Sequence, residues 1–353
     1  MKRLLGALLI GVWGCGVEQS SEADVVARSE QGLFSWRAID LSSNATAATG
    51  VGSELLGSTG TTPRLGAWDP APIDWQLIPG GQSVAPGVLP GAAGRTVKSL
   101  GQTAGYETHL LAKNAAGQLV HQIRTTSIEL PVVEWLPSWV SHGTMTVSSG
   151  VSASGVLAKD ASLDLFVRGV DGQVYMDSYL GGFDVAYSQG APWTGFIPLG
   201  GTVLAGTTPV GITTITNGVV QRDIFVNTGG LYSTGLAHRY WLASTGWSAW
   251  ESIGGFGKDG VVGTPSVIRE GSKIAVYVLG PNSHVYKKTL TIGVTKGGGR
   301  TQSWSTFLDC GNPGRPLDEN FLATSWSNTP TGYETVVFVR DFGLIYRGSG
   351  TCN

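Results

Sequence analysis

The sequence predicts an all-β fold: a β-propeller of about six four-stranded blades, with five or seven still open. Three observations carry this. A tryptophan-and-glycine phrase returns along the chain at a nearly constant step. A second phrase, shaped like a hairpin, keeps the same beat. The composition, with 53 glycines in 353 residues and 14% charged residues, interrupts windows long enough for an amphipathic helix.

The first phrase reads Asp74-Trp75-Gln76-Leu77-Ile78-Pro79-Gly80-Gly81. It returns at 138–143, 195–201, 249–255 and 306–311. Its ring positions are 75, 139, 196, 250 and 307, so the steps are 64, 57, 54 and 57. A fixed period of this kind marks stacked supersecondary units that bury their faces against neighbours. Radial stacking also protects sheet edges. A linear solenoid competes, but its rungs are shorter than this step.

The second phrase is clearest as Leu165-Phe166-Val167-Arg168-Gly169-Val170-Asp171-Gly172-Gln173-Val174-Tyr175. Its first half recurs from Leu110, Ile224, Val276 and Val337. An apolar–tyrosine pair follows as Leu231-Tyr232, Val285-Tyr286 and Ile345-Tyr346, with Leu119-Val120 in the first copy. Two β-rich runs around an Asp-Gly turn read as a hairpin, because that turn tolerates positive φ.

In chain order, residues 1–15 read as a lipoprotein-type signal. Met1-Lys2-Arg3 is a basic start, and the apolar core from Leu4 to Val12 is too short to span a bilayer. Val12-Trp13-Gly14-Cys15 resembles a bacterial lipobox, which makes Cys15 the expected lipidation site. Residues 16–33 are polar and read as a flexible tether. Residues 34–353 form the repeat domain. Phe34-Ser35-Trp36-Arg37-Ala38-Ile39-Asp40-Leu41 looks like 302–309, so the chain opens on a Trp-type strand and ends after an apolar–Tyr strand. That offset lets the N-terminal strand complete the final blade. Residues 42–74 are short of room, with strands expected only at 51–56 and 64–68.

Apart from Cys15, two cysteines remain, Cys310 and Cys352. An even pair in an exported chain predicts one disulfide. It closes a loop of about 40 residues, worth roughly 3–4 kcal/mol in the chain-entropy account, and pins the terminal blade.

A net charge of −2 and the lack of a basic stripe argue against nucleic acid. Gly255-Phe256-Gly257-Lys258-Asp259-Gly260 fits G-x-G-x-x-G but follows a Trp phrase and precedes a strand, so it reads as a loop. G-x-S-x-G, H-E-x-x-H and the sialidase box S-x-D-x-G-x-x-W are missing. His109, His121, His142, His238 and His284 lack metal-ligand spacing, and His121 and His284 read as surface strand residues. Asp164 and Asp223 occupy matching strand positions and read as relics of repetition. No metal, cofactor or catalytic residue is expected.

Sugar sites need an aromatic face for the ring and polar groups for its hydroxyls. Trp193, Trp247 and Trp304 are the candidate faces. Arg168, Asp171, Arg222 and Arg340 lie at strand ends or turns and are the candidate polar groups, although solvated turn residues are equally natural there. Trp75, Trp139 and Trp250 read first as packing residues.

The combined phrases resemble the bacterial Photorhabdus-lectin-like (PLL-like) β-propellers. Trp247-Ser248-Ala249-Trp250-Glu251-Ser252-Ile253-Gly254-Gly255 and the hairpin phrase at 165–175 carry the resemblance, which covers 75–353 clearly and 34–74 faintly. It implies propellers, usually of seven blades, that bind sugars such as fucose between neighbouring blades. The resulting expectation is an exported, lipid-anchored protein of the bacterial cell envelope that binds fucose-type or methylated glycans without catalysis. It would touch the membrane only through its N-terminal lipid. A protein-interaction platform and a glycan-active hydrolase are the alternatives.

Overall fold

In the computed structural model the described residues are 26–28, 34–40, 45–51, 54–68, 73–99, 102–127, 133–155, 163–179, 193–216, 218–229, 235–257, 260–295, 299–314, 316–318, 321–329, 332–341 and 344–353. The expected signal at 1–15, including Cys15, lies outside them, as does the Leu231-Tyr232 copy of the apolar–tyrosine pair.

Every long element among these residues is a strand. β1 (Val26–Arg28) and β2 (Ser35–Asp40) come first. β3 (Ala45–Val51), β4 (Glu54–Thr59), β5 (Thr62–Ala67) and β6 (Asp74–Leu77) form a four-stranded antiparallel sheet. An eight-stranded sheet follows, from β7 (Gly91–Ser99), β8 (Gln102–Lys113), β9 (Gln118–Ser127), β10 (Val133–Trp135), β11 (Val140–Gly155), β12 (Leu163–Gly169), β13 (Val174–Tyr179) and β14 (Ile197–Gly200). β15 (Val210–Thr216), β16 (Val219–Asn227), β17 (Leu236–Leu242), β18 (Gly246–Trp247) and β19 (Glu251–Gly254) make the next sheet. β20 (Val262–Glu270), β21 (Lys273–Leu279), β22 (Val285–Val294), β23 (Arg300–Trp304) and β24 (Leu308–Gly311) make another. β25 (Leu322–Thr329), β26 (Gly332–Asp341) and β27 (Leu344–Ser349) join β1 and β2 in the order β1-β2-β27-β26-β25, here called the seam sheet.

The inner strands β3, β7, β11, β15, β20 and β25 each pack on the next, and β25 packs on β3. This closed cycle is a propeller arrangement. Apolar residues gather between successive sheets rather than in one central core. Leu55, Trp68, Phe321 and Phe338 join the β3–β6 sheet to the seam sheet. Trp36, Tyr277, Val337 and Val339 join the seam sheet to β20–β24. Each such buried side chain contributes about 1.5–3 kcal/mol. The period itself is hydrogen-bonded. Thr213 N–H donates to the Ser154 hydroxyl at 2.7 Å, 59 residues back. Thr208 N–H donates to the Thr264 hydroxyl at 2.9 Å, 56 residues on.

The Trp-Gly phrase is a joint between sheets. A Cβ on Gly80 would lie 2.9 Å from the Trp139 ring, and one on Gly201 would lie 2.6 Å from the Trp250 ring. Both glycines have positive φ, which β-carbon-bearing residues rarely adopt. The same rings donate their Nε1 protons backward, Trp139 to Pro79 O at 3.1 Å and Trp250 to Leu199 O at 3.4 Å. Trp139 is buried, while Trp75 and Trp250 are partly buried against apolar clusters.

β2 pairs with β27, so the first long strand completes the last sheet. Trp36 is fully buried there, and its Nε1 donates to Cys310 O at 3.3 Å. Gly348 opposite Trp36 has no room for a Cβ, which would approach Phe34 and Trp36 to 2.5 and 2.6 Å. Cys310 and Cys352 are disulfide-bonded across 42 residues. The bridge links β24 to the segment after β27, so it ties two sheets together rather than stapling one terminal blade. Residues 45–77, expected to be cramped, hold four strands through tight turns such as that at Gly60, whose φ is +57°. Val26–Arg28, inside the expected tether, pair with β2.

Candidate functional site

The charged residues expected at solvated turns or as relics are mostly committed to interfaces between sheets. Asp164 on β12 is fully buried and accepts from Arg222 Nε at 2.7 Å, Thr213 Oγ1 at 2.7 Å and Ser178 Oγ at 2.5 Å. Arg222 also covers the Trp241 ring, 4.5 Å from its centroid. Asp223 on β16 is fully buried against Arg300 and His238. These matching positions are therefore polar joints rather than relics. Arg168 donates from Nη1 to Ser148 Oγ at 2.6 Å and from Nε to Val203 O at 3.0 Å. Arg340 pairs with Asp318 at 3.0 Å. Only Asp171 is an exposed turn residue; the Gln173 backbone N–H, with the Tyr175 hydroxyl, holds its carboxyl below the usual range.

Trp193, Trp247 and Trp304 do not converge. Each is partly buried at a different interface. Trp193 stands edge-on to His142, with centroids 4.1 Å apart. Trp247 lies under the Arg239 guanidinium at 5.4 Å. Trp304 packs on His238 at 5.1 Å. His121 is buried, not at the surface, with Nε2 3.0 Å from His109 Nδ1. Its strand is covered on both faces, so alternation gives no outward side. His284 is partly exposed and contacts Asp309 at 2.9 Å. Among the described residues no group of three or more His, Cys, Asp or Glu is placed to hold a metal ion, and no helix is long and apolar enough to cross a membrane.

A cavity of about 740 Å³ opens instead between the β20–β24 sheet and the seam sheet. Arg269, Glu270 and Gly271 line it from the end of β20, Tyr277 from β21, Trp326 from β25, and Tyr333, Glu334 and Thr335 from β26. Trp326 is 44% exposed and Tyr333 is 80% exposed. Trp326 is held from behind, because its Nε1 donates to Arg269 O at 3.2 Å. Arg269 is held in turn, donating to Gly271 O at 2.8 Å and Ile215 O at 3.2 Å. Glu270 accepts from Lys287 at 2.7 Å and from the Tyr277 hydroxyl at 3.2 Å. Burial first, then the Glu270 carboxylate, pushes the Tyr277 hydroxyl far above its ordinary range and keeps it a donor. The cavity thus offers two aromatic faces, that of Trp326 held in place, beside fixed acceptors and donors. A smaller cavity of about 340 Å³ lies at Trp250, Thr202 and Thr228.

Trp326 lies outside the Trp-Gly and hairpin phrases, while Tyr333 stands in a Gly-Tyr-Glu-Thr run at 332–335 whose other copy is 105–108.

No family model matches the chain, and no curated protein matches it. Solved structures do. AofleA from Arthrobotrys oligospora superposes with a TM-score of 0.60 at 13% identity, covering 92% of this chain and 88% of its own. The SapL1 lectin in complex with alpha methyl fucoside has a TM-score of 0.49 at 10% identity, covering 88% of this chain and 97% of its own. The Trypanosoma rangeli sialidase in complex with the inhibitor DANA has a TM-score of 0.48 at 8% identity, covering 89% of this chain and 55% of its own. The likeness to AofleA speaks to the fold alone.

Proposed function

We propose that this protein is a glycan-binding β-propeller without catalytic activity, and that the cavity at Trp326 and Tyr333 is its principal sugar site. The carrying observation is the pairing of two exposed aromatic rings, Trp326 held through its indole N–H, with fixed polar groups in an open cavity between sheets. A pyranose stacks its apolar face on such rings while its hydroxyls meet carboxylate and amide partners. Fucose-type or methylated sugars are the expected ligands. They present a methyl group that prefers an aromatic surface to water.

We count six blades in this reading. β11 pairs with β9 through Val140 and Ser141 and with β12 from Val151 to Gly155, so the eight-stranded sheet divides into two four-stranded ladders that share it. We also propose export and lipid anchoring through Cys15 in a bacterial cell envelope, on the strength of the N-terminal sequence.

A glycan array followed by calorimetry tests the function. Binding is expected, and Trp326→Ala or Tyr333→Ala should abolish it at this cavity with the fold intact. Silence across fucosylated, methylated and bacterial polysaccharide glycans counts against the proposal. Cys15→Ser should release the protein from membranes; its retention there argues against the anchor.

A further inference from the structure

We infer that Lys288 is a covalent modification site, whose amine is placed to condense with a small aldehyde in the joint between the β15–β19 and β20–β24 sheets. This goes beyond glycan recognition and does not depend on it. Lys287 and Lys288 are neighbours on β22, and side chains alternate along a strand. Lys287 points to one side and donates to both carboxylate oxygens of Glu270, at 2.9 and 2.7 Å. Lys288 shares its face with Tyr286, Leu290 and Ile292, which pack with Phe225, Ile253 and Phe256. It is 9% exposed. Among the described residues it makes no hydrogen bond or ion pair, and its Nζ lies 4.5 Å from the centroid of the Phe307 ring.

Comparison with the preceding unit shows what this joint lacks. His238 stands across from Phe225 and Lys287 across from Tyr277, and those two rings hold the same place in the hairpin phrase. Arg239 and Lys288 are therefore equivalent. Arg239 covers the Trp250 ring and donates from Nη1 to Leu199 O, a carbonyl that also accepts from Trp250 Nε1. One unit later Phe307 stands in the place of Trp250 and has no N–H to donate. Its ring is also smaller. A Cβ on Gly201 would lie 2.6 Å from the Trp250 ring, whereas one on Gly254 would lie 3.9 Å from the Phe307 ring. Lys288 thus keeps the cation position of Arg239 without its carbonyl contact, beside a less crowded ring.

Charge decides what such an amine can do. Glu251, on the face of β19 that carries Ile253, is taken by His238 at 2.8 Å and by Gln302 at 2.7 Å. The Tyr286 hydroxyl accepts from Asn282 Nδ2 at 2.9 Å. The ammonium form is left with a phenyl face, which returns only part of the hydration that burial removes. Burial accordingly holds the Lys288 pKa below the ordinary 10.5. The neutral form is a nucleophile and a poor receptor for anions, so an uncharged carbonyl compound is the fitting partner. The nitrogen attacks the aldehyde carbon and a C–N bond forms. The two amine hydrogens then leave with the aldehyde oxygen as water, giving an imine without oxidant or reductant.

Treatment of the full chain at neutral pH with acetaldehyde and sodium cyanoborohydride tests this, because the reductant fixes each imine as an ethylamine that peptide mapping can count. Lys288 is expected to be ethylated about tenfold faster than its neighbour Lys287 and the exposed Lys273. Unfolding in urea should erase that preference. Phe307→Trp, which closes the joint as Trp250 closes the one before it, should slow Lys288 and leave Lys273 unchanged. A native Lys288 rate no higher than that of Lys273 overturns the inference. So does a preference that persists in urea, since it would then come from the local sequence and not from burial.

Discussion

The Asp223 carboxylate on β16 meets the Arg300 guanidinium on β23 at 2.5 Å, across the boundary between two sheets, and both side chains are closed to solvent. Breaking such a pair from one side leaves a charge stranded in a low-dielectric interior. Asp223→Ala is therefore expected to cost about 3–5 kcal/mol. Asp318→Asn, at the more exposed pair with Arg340, is expected to cost no more than about 1 kcal/mol. Urea unfolding midpoints compare the two, and equal losses would contradict the burial argument.

His238 gives that interface a pH dependence. Its Nε2 faces Asp223 and its Nδ1 faces Glu251, each at 2.8 Å, with Arg300, Tyr240 and Trp304 packed around it. Burial opposes its charge, but the two carboxylates outweigh burial and raise its pKa above the ordinary 6.5. The imidazolium contribution is complete below that ordinary value and is lost as pH rises through the native one. Glu251 runs the opposite way. Its hydrogen bond with His238 holds it below the ordinary 4.5, so its contribution is present above that value and is lost as pH falls through its native one. Stability should peak between these limits. Unfolding midpoints measured from about pH 6 to pH 9 should decline, and His238→Gln should flatten the slope; an equally steep slope in the variant removes His238 as the cause.

Replacing Cys352 by Ser opens the 42-residue loop and is expected to cost roughly 3–4 kcal/mol. Non-reduced peptide mapping should show Cys310 joined to Cys352 in the native protein. Free thiols at both positions would end the idea.

Aromatic truncations should separate by role. Trp304→Ala, which opens a gap beside His238 and Phe225, is expected to cost about 3–5 kcal/mol and to spare glycan binding. Trp326→Ala should do the reverse. Parallel melting and binding curves decide the matter, and a Trp326 variant that unfolds without losing ligand reassigns that ring to packing.

These roles explain what could be read ahead of the structure. The Trp-Gly phrase recurs because Gly80 and Gly201 must each admit the ring of the following unit, so its period reports the architecture directly. The offset of Trp36 against Tyr346 likewise foretold the pairing of β2 with β27. His121 misled, because alternation assigns polar residues to solvent and its strand is covered on both faces, while Asp164, read as a relic of repetition, is a buried joint to Arg222. The cavity escaped for a related reason. Recurrence selects residues that every interface needs for packing, while Trp326 lies outside the recurring phrases. Trp193, Trp247 and Trp304 were singled out because they recur, and each is partly buried at its own interface.

The handshake of β2 with β27 has a bearing on synthesis. A nascent chain carries β2 without its partner until every intervening strand has been made, because β27 is the last of the described strands. Until then the growing arc ends in raw sheet edges, a hazard for any chain delayed before completion.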